Sequence, residues 1–273
     1  MGRHPTGLPP ESGPVGRFPY QKSSSEGFVS FVTNNSIMKI AIIGYGKMGH
    51  EVEKAALARQ HIIVVTIDNP KEWEERIEML KQADVAIDFS QPDQVVGNIN
   101  RCFDLHLPVV VGTTAWQDHF EEIKKRCLDE KQSLFHAPNF SIGMNIMFLL
   151  NKQLAKYAEK YGYQLSMAET HHIHKLDKPS GTAVKLANDI LAVNHDYSQW
   201  SIDNPSDRTL YIKVTREGEV NGIHSVMAES PADKITLTHE AFNRQGFALG
   251  AIAAAEFLIG KTGVFDMEDL FQA

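Results

Sequence analysis

The fold of this chain is decided by residues 38–49, which read Met38-Lys39-Ile40-Ala41-Ile42-Ile43-Gly44-Tyr45-Gly46-Lys47-Met48-Gly49. The first six residues form an apolar run of strand length, and the glycines that follow have the spacing G-x-G-x-x-G. A stretch with a helical pattern comes next, from His50 to Gln60. A glycine-rich turn between a strand and a helix is typical of dinucleotide-binding domains, because it lets a pyrophosphate approach the start of the helix.

A second strand is predicted from His61 to Ile67, and Asp68 follows it directly. An acidic residue roughly 20 positions after such a turn commonly binds the ribose hydroxyls of the cofactor. In this interpretation Gly44 permits the tight turn, Gly46 lets the backbone approach the pyrophosphate, and Gly49 allows the helix to pack closely on the strand. The alternative, an incidental glycine-rich turn, is less well supported in this context. The candidate cofactor-binding residues of this part are Gly44, Tyr45, Gly46, Lys47, Met48, Gly49 and Asp68.

Strand and helix patterns continue to alternate as far as residue 140. Strands are predicted at 84–90, 107–111 and 133–136, and helices at 70–82, 92–104 and 116–130. This alternation predicts an α/β fold, a Rossmann-type doubly wound parallel sheet with helices on both faces. Ligands of such sheets bind at the carboxyl ends of the strands, where polar turns fall in this chain.

One of these polar turns is Gly112-Thr113-Thr114, which is small, carries hydroxyl groups and would suit a flat cofactor ring. Another is Ala137-Pro138-Asn139-Phe140, which follows the fifth predicted strand. Ordinary turn chemistry explains Thr113, Thr114 and Asn139 equally well, and their spacing alone does not choose between the two interpretations.

The pattern changes in the second half of the chain. Helices are predicted at 142–161 and 180–193 with a strand between them at 163–168, whereas residues 194–207 are polar and irregular. Three alternating strands follow without intervening helices, at 210–215, 222–228 and 234–239. They predict a second α+β domain with an antiparallel or mixed sheet. A final apolar helix at 246–259 is expected to return to the first domain.

These patterns predict a dinucleotide-binding domain at 38–140, completed by 241–273, and a substrate-binding and oligomerisation domain at 141–240. Residues 1–37 are rich in Gly, Pro and Ser and show no periodicity, so we expect a disordered leader, a cloning remnant or a wrongly assigned start. One face of the second sheet is expected to lack a helical cover, which favours a homo-oligomer built through its strands.

Composition excludes several classes of protein. The 273 residues carry a net charge of −7, which argues against an electrostatic nucleic-acid binder. The sequence contains no apolar run near the roughly 20 residues that span a bilayer. Cys102 and Cys127 are the only cysteines, so a disulfide framework is not expected and a reducing cytoplasm is the natural compartment.

The most reactive side chains lie between Glu169 and Thr182, in the run Glu169-Thr170-His171-His172-Ile173-His174-Lys175-Leu176-Asp177-Lys178-Pro179-Ser180-Gly181-Thr182. Cationic and proton-transferring groups here precede a helix start, which suits an anionic substrate that needs a proton. A solvated polar loop is the plain alternative. Metal binding by the three histidines is a second one, disfavoured because no cysteine or carboxylate stands at ligand spacing.

This run resembles the motif E-x-H-H-x-x-K-x-D-x-P-S-G-T of the 4-hydroxy-tetrahydrodipicolinate reductase (dihydrodipicolinate reductase) family of bacterial lysine and diaminopimelate synthesis. The resemblance covers residues 38–273. Further matches stand in the right order, at Gly112-Thr113-Thr114, at Asn139-Phe140-Ser141 with Gly143 and Asn145, and at Gly263-Val264-Phe265-Asp266-Met267.

The resemblance implies the roles of the site residues. His171 and Lys175 correspond to the family's proton-handling pair, and His172, Gly181 and Thr182 to residues that hold the carboxylates of a small dicarboxylate substrate. The cofactor-binding positions that it implies are Gly44 to Gly49, Asp68, Gly112 to Thr114, and Ala137, Pro138, Asn139 and Phe140. No metal and no nucleic-acid or membrane partner is expected. The expected oligomer is a homotetramer.

The implied reaction is the reduction of 4-hydroxy-tetrahydrodipicolinate to tetrahydrodipicolinate by a nicotinamide hydride, with loss of water. NADH is the expected cofactor, with NADPH as the alternative, because Asp68 would repel a 2′-phosphate and is followed by Asn69, where the family often has arginine. Three rival functions stay open: another two-domain dehydrogenase of amino-acid metabolism, a non-catalytic nucleotide sensor, and a histidine-bound metal hydrolase.

Overall fold

The structure is a computed structural model, and it describes residues 36–203 and 206–273. The expectation for residues 1–37 therefore concerns a segment that lies almost wholly outside the described residues. The strands, in chain order, are β1 Lys39–Ile43, β2 Ile62–Ile67, β3 Val85–Asp88, β4 Val109–Val111, β5 Ser133–His136, β6 Gln164–His171, β7 Gln199–Ser201, β8 Thr209–Arg216, β9 Ile223–Glu229, β10 Lys234–Glu240 and β11 Gly263–Phe265. The helices are α1 Lys47–Ala58, α2 Pro70–Glu75, α3 Ile77–Leu80, α4 Val95–Asp104, α5 Phe120–Asp129, α6 Ile142–Tyr161, α7 Gly181–Leu191, α8 Gln245–Leu258 and α9 Met267–Gln272.

Within the described ranges, six strands form a parallel sheet in the order β11-β5-β4-β3-β1-β2. Alternate residues of β1 enter two separate cores. Ile40 and Ile42 pack with α1 and α8 on one face, and Ala41 and Ile43 pack with α4 and α5 on the other. Because both faces are buried, the strands carry continuous apolar runs rather than an alternating pattern. The predicted doubly wound parallel sheet is confirmed.

The second sheet has the order β10-β9-β6-β8-β7 among the described strands. Its centre is mixed, because β6 pairs with β8 in parallel and with β9 in antiparallel orientation. Helices α6 and α7 cover one face through a core that includes Leu165, Met167, Leu186 and Ile212. The prediction of a second domain with a mixed sheet is confirmed.

Several boundaries differ from the sequence prediction. The strand predicted to end at Ala168 continues to His171, because residues 169 and 170 still pair with β8 and β9. Residues 194–207, predicted to be irregular, contain β7, which pairs in parallel with β8. The helix predicted at 70–82 is broken at Arg76 into α2 and α3. Strand β11 and helix α9 were not predicted, since each is too short to show a periodicity.

The apolar helix α8 packs against α1 and the parallel sheet, with Ala251, Ala254 and Ala255 fully buried. The described part of the chain contains no helix that is both long and apolar enough to cross a membrane. The carboxyl ends of β1 to β5 lie along one edge of the parallel sheet, and the predicted cofactor-binding turns follow these strands.

Candidate active site

The glycine-rich turn lies between β1 and α1. Gly44 has a φ of +83°, and a Cβ atom there would lie 2.4 Å from the carbonyl oxygen of Phe89. A Cβ atom on Gly49 would lie 2.4 Å from the carbonyl oxygen of Gly44, whereas one on Gly46 would meet no atom of the described residues within 4 Å. The turn is therefore closely packed on its protein side, and Gly46 borders open space from which a ligand can approach.

A cavity of about 510 Å³ opens beside this turn, at the carboxyl ends of β1, β2 and β3. Asp68 lines the cavity, and its carboxylate accepts a hydrogen bond of 2.7 Å from the backbone N–H of Tyr45. Asp68 and the glycine-rich turn therefore lie next to each other at this cavity. The side chain of Asn69 is engaged elsewhere, since its Oδ1 accepts hydrogen bonds from the N–H groups of Lys71 and Glu72 as the N-cap of α2.

Arg101 also lines this cavity, and sequence reasoning missed it. It stands on α4, with its guanidinium carbon 5.2 Å from the ring centre of Trp73. Arg101 is distant from Asp68 in the sequence, and it reaches the cavity because α4 follows β3, which neighbours β1 in the sheet. The nearby Arg76 is less accessible to a ligand, because it pairs with Glu72 at 3.0 Å and donates a hydrogen bond of 2.6 Å to the carbonyl of Thr66.

Thr113, at the end of β4, turns its hydroxyl inward. This hydroxyl donates a hydrogen bond of 2.6 Å to the carboxylate of Asp88, which also accepts bonds from Ser90 and from the amide of Asn98. Burial raises the pKa of Asp88, and these hydrogen bonds act in the opposite direction. The Thr113 side chain therefore supports the turn from within, while Thr114 is exposed at the same edge.

In the turn at 137–140, Pro138 is exposed and Asn139 is half-buried, between two buried residues. Ala137 and Phe140 are buried, and the Phe140 ring centre lies 5.9 Å from that of Phe89 and 5.8 Å from that of Phe135. The Oδ1 of Asn139 accepts a hydrogen bond of 2.9 Å from the N–H of Ser141. Residues 137–139 line a second cavity of about 270 Å³ at the carboxyl end of β5.

The histidine-rich run divides into a buried part and an exposed part. His171 is the last residue of β6 and is buried, whereas His174 is exposed and lies 3.2 Å from the carboxylate of Glu219. His172 and Lys175, in the same run, are each half-buried. The ammonium of Lys175 lies 2.9 Å from the carboxylate of Asp177.

Helix α7 begins directly after this run. Ser180 is its N-cap, and the serine Oγ accepts a hydrogen bond of 3.2 Å from the N–H of Ala183. Gly181 is exposed and Thr182 is half-buried in the first turn. The first N–H groups of a helix have no partner within the helix and carry a partial positive charge, so this end is suited to a carboxylate.

Beneath the run lies a buried carboxylate, that of Glu169. It accepts hydrogen bonds from the N–H of Ser180 at 3.1 Å, from the guanidinium of Arg216 at 3.0 Å and from the Ser180 hydroxyl. The imidazoles of His171 and His224 lie 3.5 and 3.7 Å from it. Glu169 belongs to the motif read from the sequence. Arg216 and His224 were not predicted, because they come from β8 and β9 and are distant in sequence.

Burial governs the titration of these two histidines. It lowers the pKa of His171, and the positive charges of Lys175 and Arg216 act in the same direction, against the negative charge of Glu169. It lowers the pKa of His224 to about 4, with a further contribution from His171. Both imidazoles are therefore biased towards their neutral form.

Within the described part of the chain, Glu169, His171 and His224 are a group of three side chains whose ligand atoms lie within 4.8 Å of one another. Of the three histidines considered as metal ligands from the sequence, only His171 belongs to this group, and His224 comes from β9. The donor set fits a cation poorly, because both oxygens of Glu169 already accept hydrogen bonds and one of them contacts the Arg216 guanidinium. The arrangement is better suited to proton transfer.

A doubly wound domain with a glycine-rich turn, joined to a mixed sheet that presents histidines and a lysine, defines the class of dinucleotide-dependent two-domain reductases. The family models "Dihydrodipicolinate reductase, N-terminus" and "Dihydrodipicolinate reductase, C-terminus" match residues 38–140 and 143–271. The chain belongs to the dihydrodipicolinate reductase family. The resemblance stated from the residues is thereby confirmed.

Individual relatives agree with this assignment. The chain is 43% identical to the 4-hydroxy-tetrahydrodipicolinate reductase of Christiangramia forsetii over 85% of this chain and 97% of the relative. It is 32% identical to that of Neisseria gonorrhoeae over 70% of this chain and 74% of the relative. The same fold is found in dipicolinate-bound dihydrodipicolinate reductase from Paenisporosarcina sp. TG-14, with a TM-score of 0.69, 22% identity and coverage of 85% and 98%.

Proposed function

We propose that this chain reduces 4-hydroxy-tetrahydrodipicolinate to tetrahydrodipicolinate with a nicotinamide hydride and loss of water. The observation that carries this proposal concerns the motif around the buried Glu169. His171 lies 3.5 Å from its carboxylate, Ser180 at the start of α7 donates hydrogen bonds to it, and the Lys175 loop is joined to it through Arg216. Relatives with 43% and 32% identity are named for this reduction. The proposed pathway is lysine and diaminopimelate biosynthesis.

The proposed cofactor site is the cavity beside the glycine-rich turn. The pyrophosphate would approach Gly46 at the start of α1, and the ribose diol would donate hydrogen bonds to Asp68. The nicotinamide would lie farther along the same edge of the sheet, against the exposed Thr114 and the backbone of residues 137–140. When bound, the cofactor supplies the hydride, and the protein supplies its orientation.

The proposed substrate site is the start of α7. A cyclic dicarboxylate would place one carboxylate against the first N–H groups of the helix at Gly181 and Thr182, with His172 nearby. The fold relative from Paenisporosarcina is described as bound to dipicolinate, a dicarboxylate of this kind. A positively charged Lys175 close to this helix start would attract the same anion.

The proton would come from the pair His171 and Lys175. Loss of the 4-hydroxyl group as water would leave a ring C=C conjugated to the imine. A hydride that adds to carbon of this system would shift an electron pair towards the ring nitrogen, where a proton has to be taken up. Lys175 would neutralise the developing negative charge, since its ammonium is a point charge on a flexible stem. His171 is biased towards its neutral form, so it can accept a proton and pass it on.

NADH is the proposed preferred reductant. The carboxylate of Asp68 favours a ribose diol and repels a 2′-phosphate, Asn69 is engaged as an N-cap, and Arg76 is paired with Glu72. Arg101 is the group on which residual NADPH use would depend, because it lines the same cavity.

A homotetramer built through the second sheet is also proposed. Leu165 and Met167 of β6 point into the core under α6 and α7, so the alternate residues Ser166 and Ala168 point to the opposite face. This face carries Tyr211 and Met227 in half-buried positions. A second copy would cover it, and sedimentation should then give about four times 30.5 kDa, whereas a monomer would contradict this proposal.

A cytoplasmic location is proposed from the two free cysteines, Cys102 and Cys127.

The reduction itself is tested by following NADH absorbance with substrate freshly made by the preceding synthase. We expect absorbance loss that requires both the synthase product and this chain. The same assay with dipicolinate added should be inhibited if the dicarboxylate site is placed correctly. No oxidation of either NADH or NADPH above the rate without enzyme would contradict the proposed function.

A further inference from the structure

We propose that Glu169 is a positioning residue of the reaction: its buried carboxylate fixes the imidazole of His171, the start of α7 and the Lys175 loop relative to one another. The inference rests on the proposed function, since it assigns a role beneath the proposed proton-transfer and carboxylate-binding groups. Glu169 would touch neither substrate nor cofactor, and it would act through its neighbours.

The position of Glu169 in the sheet explains how it reaches all three. It stands on the central strand β6, opposite Val214 of β8 and His224 of β9. Its side chain is 0% exposed. Arg216 reaches it from β8, His224 from β9 and Ser180 from the N-cap of α7. One carboxylate therefore joins three elements that are separate in sequence.

The buried carboxylate of Glu169 is paired with Arg216 and accepts hydrogen bonds from the backbone N–H and the hydroxyl of Ser180. Burying a carboxylate without partners is very costly, and these contacts offset that cost. The Arg216 guanidinium also donates hydrogen bonds to the carbonyls of Lys175 and Asp177. The loop that carries Lys175 is thereby tied to the same carboxylate through a single side chain.

The distance between Glu169 and His171 bears on which nitrogen of the His171 imidazole carries a proton. The Nδ1 atom of His171 lies 3.5 Å from Oε2 of Glu169 and has no hydrogen-bond partner among the described residues. A carboxylate at this distance favours a proton on Nδ1, both in one neutral tautomer and in the charged imidazolium. Gly222 leaves room on the other side of the His171 ring, because a Cβ atom at this position would lie only 3.0 Å from Nε2.

The titration of His171 is set by groups from every side. Glu169 comes from its own strand, and the other titratable and charged groups that act on it are Lys175, Asp177, Arg216 and His224. Of the two negative charges in this set, Glu169 is buried and has the larger effect. Removal of the Glu169 charge should therefore lower the pKa of His171 further.

Glu169→Gln is the main test, because glutamine keeps the size and can still bond to Ser180. We expect kcat to fall about 10- to 100-fold, the effect of slightly misplaced reacting groups, with an increased KM for the substrate and an unchanged KM for the cofactor. A histidine NMR titration of the protein without ligands should place the pKa of His171 below its wild-type value. Glu229→Gln is the matched control, since it removes one exposed carboxylate from the same sheet.

Glu169→Asp serves if the glutamine variant does not fold. It keeps the charge beside Arg216 but is one methylene shorter, so it should fold and still lose activity. A purely structural role would lower the melting temperature and leave the KM and the His171 titration of the folded protein at wild-type values, and that result would overturn the inference.

If the wild type does not oxidise NADH at all, the proposed function has failed. The NMR titration then still decides whether Glu169 controls His171.

Discussion

The ammonium of Lys175 and the carboxylate of Asp177 lie 2.9 Å apart at the rim of the second sheet, with side-chain exposures of 25% and 54%. An ion pair this exposed contributes little to stability, so its main consequence is orientation. Burial alone would raise the pKa of Asp177, but the hydrogen bond and the charge of Lys175 bring that pKa below its usual value. Asp177 therefore holds Lys175 in place over the whole range of pH near neutrality.

Thr182→Val should mainly raise KM for the substrate, by about tenfold, because a hydroxyl that binds a carboxylate does so in the ground state and the transition state alike. Steady-state kinetics at saturating NADH measure both constants. Thr182→Ser keeps the hydroxyl and is expected to stay within threefold of wild type. A large fall in kcat with unchanged KM would place Thr182 outside the carboxylate site.

The cofactor preference should be for NADH, and Arg101→Ala should reduce kcat/KM for NADPH more than for NADH. Only NADPH carries the 2′-phosphate that a guanidinium in this cavity would bind. The measurement is kcat/KM with each cofactor for wild type and variant. A tenfold or larger preference of the wild type for NADPH, which corresponds to roughly 1.4 kcal/mol, would contradict the proposal.

Acidification should destabilise the protein through His224. Its pKa is lowered in the folded state to about 4, against about 6.5 for an unfolded histidine. As the pH is lowered, His224 therefore binds its proton at a higher pH in the unfolded state than in the folded state. The free energy of unfolding falls as the pH drops from about 6.5 to about 4, by at most about 3 kcal/mol. Denaturant unfolding across this range measures the slope. His224→Gln should flatten it, and an unchanged slope would contradict the assignment.

Gly250→Ala should destabilise the fold by about 1–3 kcal/mol, because a Cβ atom there would lie 1.7 Å from the carbonyl oxygen of Phe140 and force α8 away. Gly97→Ala is the matched control, since it is also a helical glycine but its Cβ would meet nothing within 4 Å. Alanine is the better helix former, so the control should be neutral or more stable by up to about 1 kcal/mol. Equal effects of the two variants in denaturant unfolding would contradict the close packing.

The parallel sheet could be predicted from the sequence because each of its first five strands is a local apolar run, and the alternation with helices fixes a parallel, doubly wound arrangement. β11 could not, since it is three residues long and is placed only by pairing with β5. The extension of β6 to His171 was missed for a similar reason. Polar residues such as Glu169 and Thr170 do not look like a strand until their partners on β8 and β9 are known.

For the candidate site, the sequence supplied the local groups and missed the distant ones. The run from Glu169 to Thr182 is contiguous, so its residue types could be read directly. Arg216 and His224 reach Glu169 only through the order of strands in the second sheet, and Arg101 reaches the cavity beside the glycine-rich turn only through the order in the first. The inward hydroxyl of Thr113 likewise depends on Asp88, a buried partner 25 residues away.

The most direct test of the account is the steady-state kinetics of Lys175→Ala beside Lys178→Ala, an exposed lysine of the same loop. A group that acts mainly when charge develops in the transition state governs kcat, so we predict that Lys175→Ala lowers kcat about 10²–10⁴-fold with a smaller change in KM. Lys178→Ala should remain close to wild type. A folded Lys175→Ala variant with kcat within about threefold of wild type would contradict the account, because it would make Lys175 an ordinary solvated cation.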